Sequence, residues 1–107
     1  MKKNIAVILA GGVGSRLGLS TPKQFFKVAG KTVVEHTIDV FERNGRIDEI
    51  AIVANAAYIT DFESMILRNG WKKVKKILKG GRERQDSSLS AIYAYEGQDV
   101  NLVFHDA

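Results

Sequence analysis

Two apolar runs constrain this chain more than any other feature: Ile5-Ala6-Val7-Ile8-Leu9 and Ile50-Ala51-Ile52-Val53-Ala54. Neither alternates with polar residues, as a strand with one wet face would. Short continuous apolar runs bounded by turn residues belong to strands covered on both sides, which is how parallel sheets are built. Val74 to Leu78 and Val100 to Phe104 are shorter and more polar strand candidates, and Lys75 and Lys76 put the first of them near a sheet edge.

Helical segments with recognisable ends lie between these runs. Thr32-Val33-Val34-Glu35 fits a capping box, with Val34, Ile38 and Phe41 on one face and Asn44-Gly45 as the stop. Thr60-Asp61-Phe62-Glu63 reads as a second capping box, with Ile59, Phe62 and Ile66 inward and Asn69-Gly70 as terminator. The third helix is expected from about Asp86 to Glu96, with Leu89, Ile92 and Tyr93 inward and Gly97 at its end. Strand and helix thus alternate along the chain, which predicts an α/β fold with a mostly parallel sheet and helices on both faces. Ligands of such sheets bind beyond the carboxyl ends of the strands, where the strand order reverses. The loop after Leu9, the glycines after Leu78 and the strand end at Asp106 are the places to look.

Composition narrows the chemistry. At 107 residues the chain is sized for one domain. Hydrophobic residues make up 45% and charged residues 26%, which argues against disorder. The absence of cysteine removes disulfides, thiolate catalysis and cysteine-ligated metals. No apolar run has the ~20 residues of a membrane span, and Ile5 to Ala10 is too brief for a signal peptide core, so a cytoplasmic protein is expected. The formal charge of +4 comes from a mild excess of bases that bunches between Lys72 and Arg84. That stretch reads as a solvated strand flank and loop. The competing reading, a nucleic-acid-binding module, lacks a recognised motif and has no aromatic residues among its lysines.

Leu9 to Gly18 holds four of the ten glycines. Gly11, Gly12 and Gly14 let backbone N–H groups approach a phosphate without interference from side chains. Arg16 adds a forked, permanently charged contact. A Walker loop is excluded because the glycines lead to Ser15-Arg16 and not to lysine followed by serine or threonine. A dinucleotide fingerprint fails as well, since the spacing is one residue too long and Asn55 stands where an acid is expected. Pro22 stiffens the following loop and sets Lys23 at a defined distance from the glycines. An arginine and a lysine held over one phosphate chain suit phosphoryl or nucleotidyl transfer, where catalysis is mostly positioning and electrostatics.

The run Leu9-Ala10-Gly11-Gly12-x-Gly14-x-Arg16-Leu17, followed by Pro22-Lys23-Gln24-Phe25, resembles the cytidylyltransferases that act on sugar-alcohol phosphates. Glu35-His36-Thr37, Gly80 to Ser87 and His105-Asp106-Ala107 extend the resemblance to the last residue. It implies a Rossmann-like three-layer sandwich of the nucleotide-diphospho-sugar transferase type. Residues 1–107 would form the N-terminal CTP-binding portion of a single nucleotidyltransferase domain, because members of the family are more than twice as long. Ala10, Gly11, Gly12 and Gly14 would bind the triphosphate, and Arg16 and Lys23 would be the catalytic cations. Gly81, Arg82 and Ser87 would meet cytosine and ribose, and Asp106 would ligate Mg²⁺. The reaction implied is attack of a substrate phosphate on the α-phosphorus of CTP with loss of pyrophosphate. The partners implied are CTP and a polyol phosphate, in a parent that is a homodimer, with neither nucleic acid nor membrane.

Leu9 to Gly12 and Lys31 to Thr37 look more like the ribitol 5-phosphate branch than the methylerythritol phosphate branch. Guanylyl-, uridylyl- and thymidylyltransferases share the glycine–arginine motif, but the Gly80 to Ser87 segment fits them poorly. His36, His105 and Trp71 are expected to be structural.

Overall fold

The structure is a computed structural model that describes residues 2–10, 27–80 and 84–106, with the side chains of 84 and 85 set aside. Its elements are β1 (Lys3–Ala10), β2 (Lys27–Val28), β3 (Lys31–Thr32), α1 (Val33–Arg43), β4 (Glu49–Ala54), α2 (Ile59–Asn69), β5 (Val74–Lys79), α3 (Arg84–Ala94) and β6 (Val100–Asp106). A 3₁₀ turn, Ala56–Tyr58, precedes α2.

Four strands form one parallel sheet in the order β5-β4-β1-β6, as the continuous apolar runs predict. The two strands with those runs, β1 and β4, are the inner ones. Six consecutive residues of β1, Ile5 to Ala10, are buried, and so are Ile50 to Ala54 of β4. Their side chains divide between two cores. Ala6, Ile8, Ala10, Ile50, Ile52 and Ala54 pack with Val34, Ile38, Phe62, Met65 and Trp71, on the face that carries α1 and α2. Ile5, Val7, Leu9, Ala51 and Val53 pack with Ala91 and Tyr95, on the face that carries α3. Each fully buried Ile, Val or Phe contributes roughly 1.5–3 kcal/mol. The chain changes faces when it leaves β5 and crosses to β6 on the far side of β1. Helices therefore lie on both faces, giving three layers.

The first capping box forms as the sequence indicates. Thr32 Oγ accepts the Glu35 N–H at 3.3 Å, and the Glu35 carboxylate accepts the Thr32 N–H at 3.0 Å. The second does not form. The 3₁₀ turn, capped by Asn55 through the Ala57 N–H at 2.9 Å, runs directly into α2, so Thr60 already lies inside the first turn. Helix α3 departs further. Ser87 and Ala91, with Tyr95 just past its end, are buried, whereas Leu89, Ile92 and Tyr93 are exposed. Small residues at 87 and 91 allow the helix backbone close to the sheet, and this approach prevails over the more apolar stripe on the other side.

A β-hairpin that the sequence reading omitted joins the segment after Pro22 to α1. Strands β2 and β3 pair antiparallel around Ala29 and Gly30, both at positive φ (52° and 84°), the geometry of a two-residue type I′ turn. Three residues of α1 anchor this hairpin. His36 Nε2 donates to the Val28 carbonyl, Asp39 accepts from Lys31 Nζ at 2.7 Å, and Glu35 holds Thr32. Asp39 also accepts from Trp71 Nε1 at 2.8 Å, and Glu35 accepts from Asn69 at 2.7 Å and pairs with Arg68 at 3.0 Å. Two buried carboxylates thus tie hairpin, α1 and the end of α2 together. Burial alone would raise the Glu35 carboxyl. Hydrogen bonds from Asn69, the Thr32 amide, Arg68 and the Thr32 hydroxyl outweigh it and bring the value from 4.5 to about 2. Asp39 is also lowered: burial opposes the shift, and Lys31, Trp71 and Arg43 prevail.

These depressed values set the sign of a pH dependence. The stability Glu35 supplies is complete above its unfolded-state value of 4.5 and is lost as pH falls toward about 2. Glu35→Gln is expected to cost about 1–3 kcal/mol at neutral pH, from partners left unsatisfied. It should also flatten the acid-side loss of stability, which urea unfolding followed by circular dichroism in a pH series would measure.

Candidate functional site

The parallel register aligns the carboxyl ends of the strands at one level. Ala10 ends β1 opposite Ala54 of β4, Ala54 lies opposite Lys79 of β5, and Asp106 of β6 lies opposite Leu9. Three of the sequence-derived candidates, Ala10, Ser87 and Asp106, fall within the described residues. Ala10 is buried at the strand end. Ser87 is buried on α3. Asp106 is the exposed last residue of β6. Register pairing puts Asp106 on the same side of the sheet as Leu9, the side that carries α3 and Ser87. Gly11, Gly12, Gly14, Arg16, Lys23, Gly81 and Arg82 lie outside the described residues.

Gly80 closes the β5 side of this edge, a role the sequence reading did not single out. Its N–H donates to the Ala54 carbonyl at 2.8 Å, one residue past the end of β5. A Cβ on Gly80 would lie 2.8 Å from Ser87 Oγ and 3.3 Å from a Val53 methyl. Only a glycine lets the chain turn here with α3 this close. The signal in the sequence was the Gly80-Gly81 pair directly after a strand, but the reason for Gly80 is contact with a residue seven positions on. Gly80→Ala is expected to destabilise the fold by about 1–3 kcal/mol through overpacking. The double variant with Ser87→Ala should recover part of that loss, as read in a double-mutant cycle of denaturant unfolding.

His105 meets Phe41 edge-on, with ring centroids 5.3 Å apart. Trp71 is buried and bonded to Asp39. Within the basic stretch, Lys73 Nζ donates to the Asn44 carbonyl at 2.8 Å, and Lys76 sits 5.1 Å above the Tyr95 ring. Burial and the neighbouring Glu49 carboxylate, which accepts from the Tyr95 hydroxyl at 2.6 Å, hold that hydroxyl protonated well above the ordinary phenol range. Among the described residues no group of three or more His, Cys, Asp or Glu could by itself hold a metal ion. No described helix is long and apolar enough to cross a membrane.

A parallel sheet with helices on both faces defines a Rossmann-like three-layer α/β protein. The chain belongs to the 2-C-methyl-D-erythritol 4-phosphate cytidylyltransferase family, whose model matches residues 4–107. It is 50% identical over 107 residues to the bifunctional ribulose 5-phosphate reductase/CDP-ribitol pyrophosphorylase Bcs1 of Haemophilus influenzae, covering 98% of this chain and 23% of that protein. It is 39% identical over 104 residues to the 2-C-methyl-D-erythritol 4-phosphate cytidylyltransferase of Thermobifida fusca, covering 95% of this chain and 42% of that one. The crystal structure of 4-diphosphocytidyl-2C-methyl-D-erythritol synthase from Anaerococcus prevotii has the same fold, with a TM-score of 0.78 at 24% identity, covering 98% of this chain and 43% of that one. The chain spans less than half the length of each of these relatives.

Proposed function

We propose that this chain is the CTP-binding portion of a cytidylyltransferase that moves CMP from CTP to a sugar-alcohol phosphate. The observation that carries the reading is the family match from residue 4 to residue 107. In the proposed reaction an oxygen of the acceptor phosphate attacks the α-phosphorus of CTP. A new P–O bond forms as the bond to the β-phosphate oxygen breaks, and pyrophosphate leaves. The acceptor phosphate is already an anion at neutral pH, so the step needs no general base.

The backbone N–H groups of Ala10, Gly11, Gly12 and Gly14 are assigned to the triphosphate. Arg16 and Lys23 are assigned to the charge that builds on the α-phosphate during attack. Gly81, Arg82 and Ser87 are assigned to cytosine and ribose. A magnesium ion fits the donor set, since it takes one or two carboxylates and fills its remaining positions with phosphate oxygens and water. Asp106, exposed at the end of β6, is the carboxylate that would hold it. When bound, the ion neutralises phosphate charge.

Ribitol 5-phosphate is the acceptor we favour. The supporting observation is the 50% identity to the CDP-ribitol pyrophosphorylase, against 39% to the Thermobifida methylerythritol phosphate enzyme. The second reading, 2-C-methyl-D-erythritol 4-phosphate, has the family model in its favour. We place the reaction in the cytoplasm and the whole protein in a homodimer.

The protein that carries this chain should release pyrophosphate from CTP with ribitol 5-phosphate, and more slowly with the methylerythritol phosphate. Failure with both acceptors rejects the proposal. Arg16→Ala and Lys23→Ala should each lower kcat by roughly 10²–10³ while changing CTP affinity little, as expected for contacts that strengthen in the transition state. UTP, GTP and ATP should compete poorly for the CTP site in calorimetry.

A further inference from the structure

We infer that His36 and Asp39 are positioning residues for Lys23: they clamp the hairpin of β2 and β3 against α1, and the hairpin in turn tethers the chain that carries Lys23. The inference rests on the assignment of Lys23 to the α-phosphate and goes beyond it by naming what holds that lysine in reach. Only Gln24, Phe25 and Phe26 separate Lys23 from Lys27, the first residue of β2. A trans chain spans at most about 14 Å over four residues, so a fixed Lys27 confines Lys23 to that radius. The end of β1 is a far looser tether, since Lys23 lies thirteen residues beyond Ala10, a reach of roughly 45 Å.

The hairpin depends on its clamp. Its strands are two residues each, and a hairpin of that size is not stable alone. None of residues 27–32 joins either hydrophobic cluster. Its place against the helix is set instead by Glu35, His36 and Asp39, whose spacing gathers them on one side of α1. Each strand has its own anchor there. His36 Nε2 donates to the Val28 carbonyl in β2, and Asp39 accepts from Lys31 Nζ in β3. Among the described residues, His36 supplies the one side-chain hydrogen bond to β2, the strand nearer Lys23. Asp39 is held from its other side by Trp71 Nε1 at 2.8 Å, so the clamp is braced against the segment after α2. The turn between the strands keeps Ala29 at a φ of 52°, a conformation that a residue with a Cβ holds only where its surroundings impose it. Two anchors and a strained turn are much structure for four paired residues. A fixed placement of the chain leading back to Lys23 accounts for it.

The test is turnover of the protein that carries this chain, with CTP and ribitol 5-phosphate, read as pyrophosphate release. His36→Leu keeps side-chain bulk and removes the donor. It should lower kcat roughly 10–10²-fold with little change in the KM for CTP, as displacement of a catalytic group does. His36→Gln, whose amide N–H can serve the same carbonyl, should restore most of the loss. In a Lys23→Ala background His36→Leu should lower kcat no further, because a residue that acts through Lys23 has nothing left to place. A merely structural role would lower kcat in both backgrounds. Lys31→Met frees the hairpin from the β3 side and should repeat the pattern, which decides the matter if His36→Leu fails to fold. Amide exchange of residues 27–32 should quicken in both variants while β1 and β4 stay slow. Unchanged kcat in folded His36→Leu or Lys31→Met, or an equal loss with and without Lys23, overturns the proposal and leaves the reaction assignment standing. An inactive wild-type protein, or full turnover by Lys23→Ala, removes the assignment of Lys23 and the proposal with it.

Discussion

Strand β1 is hydrogen-bonded on both edges and packed on both faces, and the rest of the structure is arranged around that condition. Burying a strand so completely requires that its backbone groups find partners on both sides. Strand β4 supplies them along one edge and β6 along the other. Its side chains from Ile5 onward must be apolar, because each face of the sheet meets a helical layer there. The five-residue run Ile5 to Leu9 satisfies both demands.

The polar network around α1 is a second, local constraint. Glu35 and Asp39 are buried acids, and burial of a carboxylate is unfavourable unless its oxygens are matched. They are matched by groups from three separate elements: the hairpin, the end of α2, and the Trp71 segment beyond it. Such a network selects one placement of the hairpin against α1. The path of the chain from Lys27 into the helix is set as much by these two acids as by the hydrophobic contacts of Val34 and Ile38.

Much of this was legible from residue order. The inner strands, the Thr32 capping box and the edge position of β5 follow from apolar continuity, a hydroxyl–carboxylate spacing and a pair of lysines. What was not legible depended on contacts between distant residues. The buried face of α3 is chosen by how closely Gly80, Ser87 and Ala91 let backbones approach, so the stripe of Leu89, Ile92 and Tyr93 misled the periodicity argument. The start of α2 was displaced because Asn55 caps a 3₁₀ turn ahead of the Thr60 motif. The hairpin turn escaped notice because alanine, an unusual residue at positive φ, occupies its first position. Of the candidate site, the motif order was readable at once, whereas the alignment of Ala10, Gly80 and Asp106 at one level depends on strand register, which no single segment encodes.

The division of the interior by the sheet has a consequence for how such a sequence can drift. Ile8 and Val7 are neighbours on one backbone, yet they pack into separate clusters on opposite faces of the sheet. A volume change on one side can be compensated by a neighbour on that side without disturbing the other. Lineages can therefore repack the two halves separately, provided the backbone ladder between them keeps its geometry.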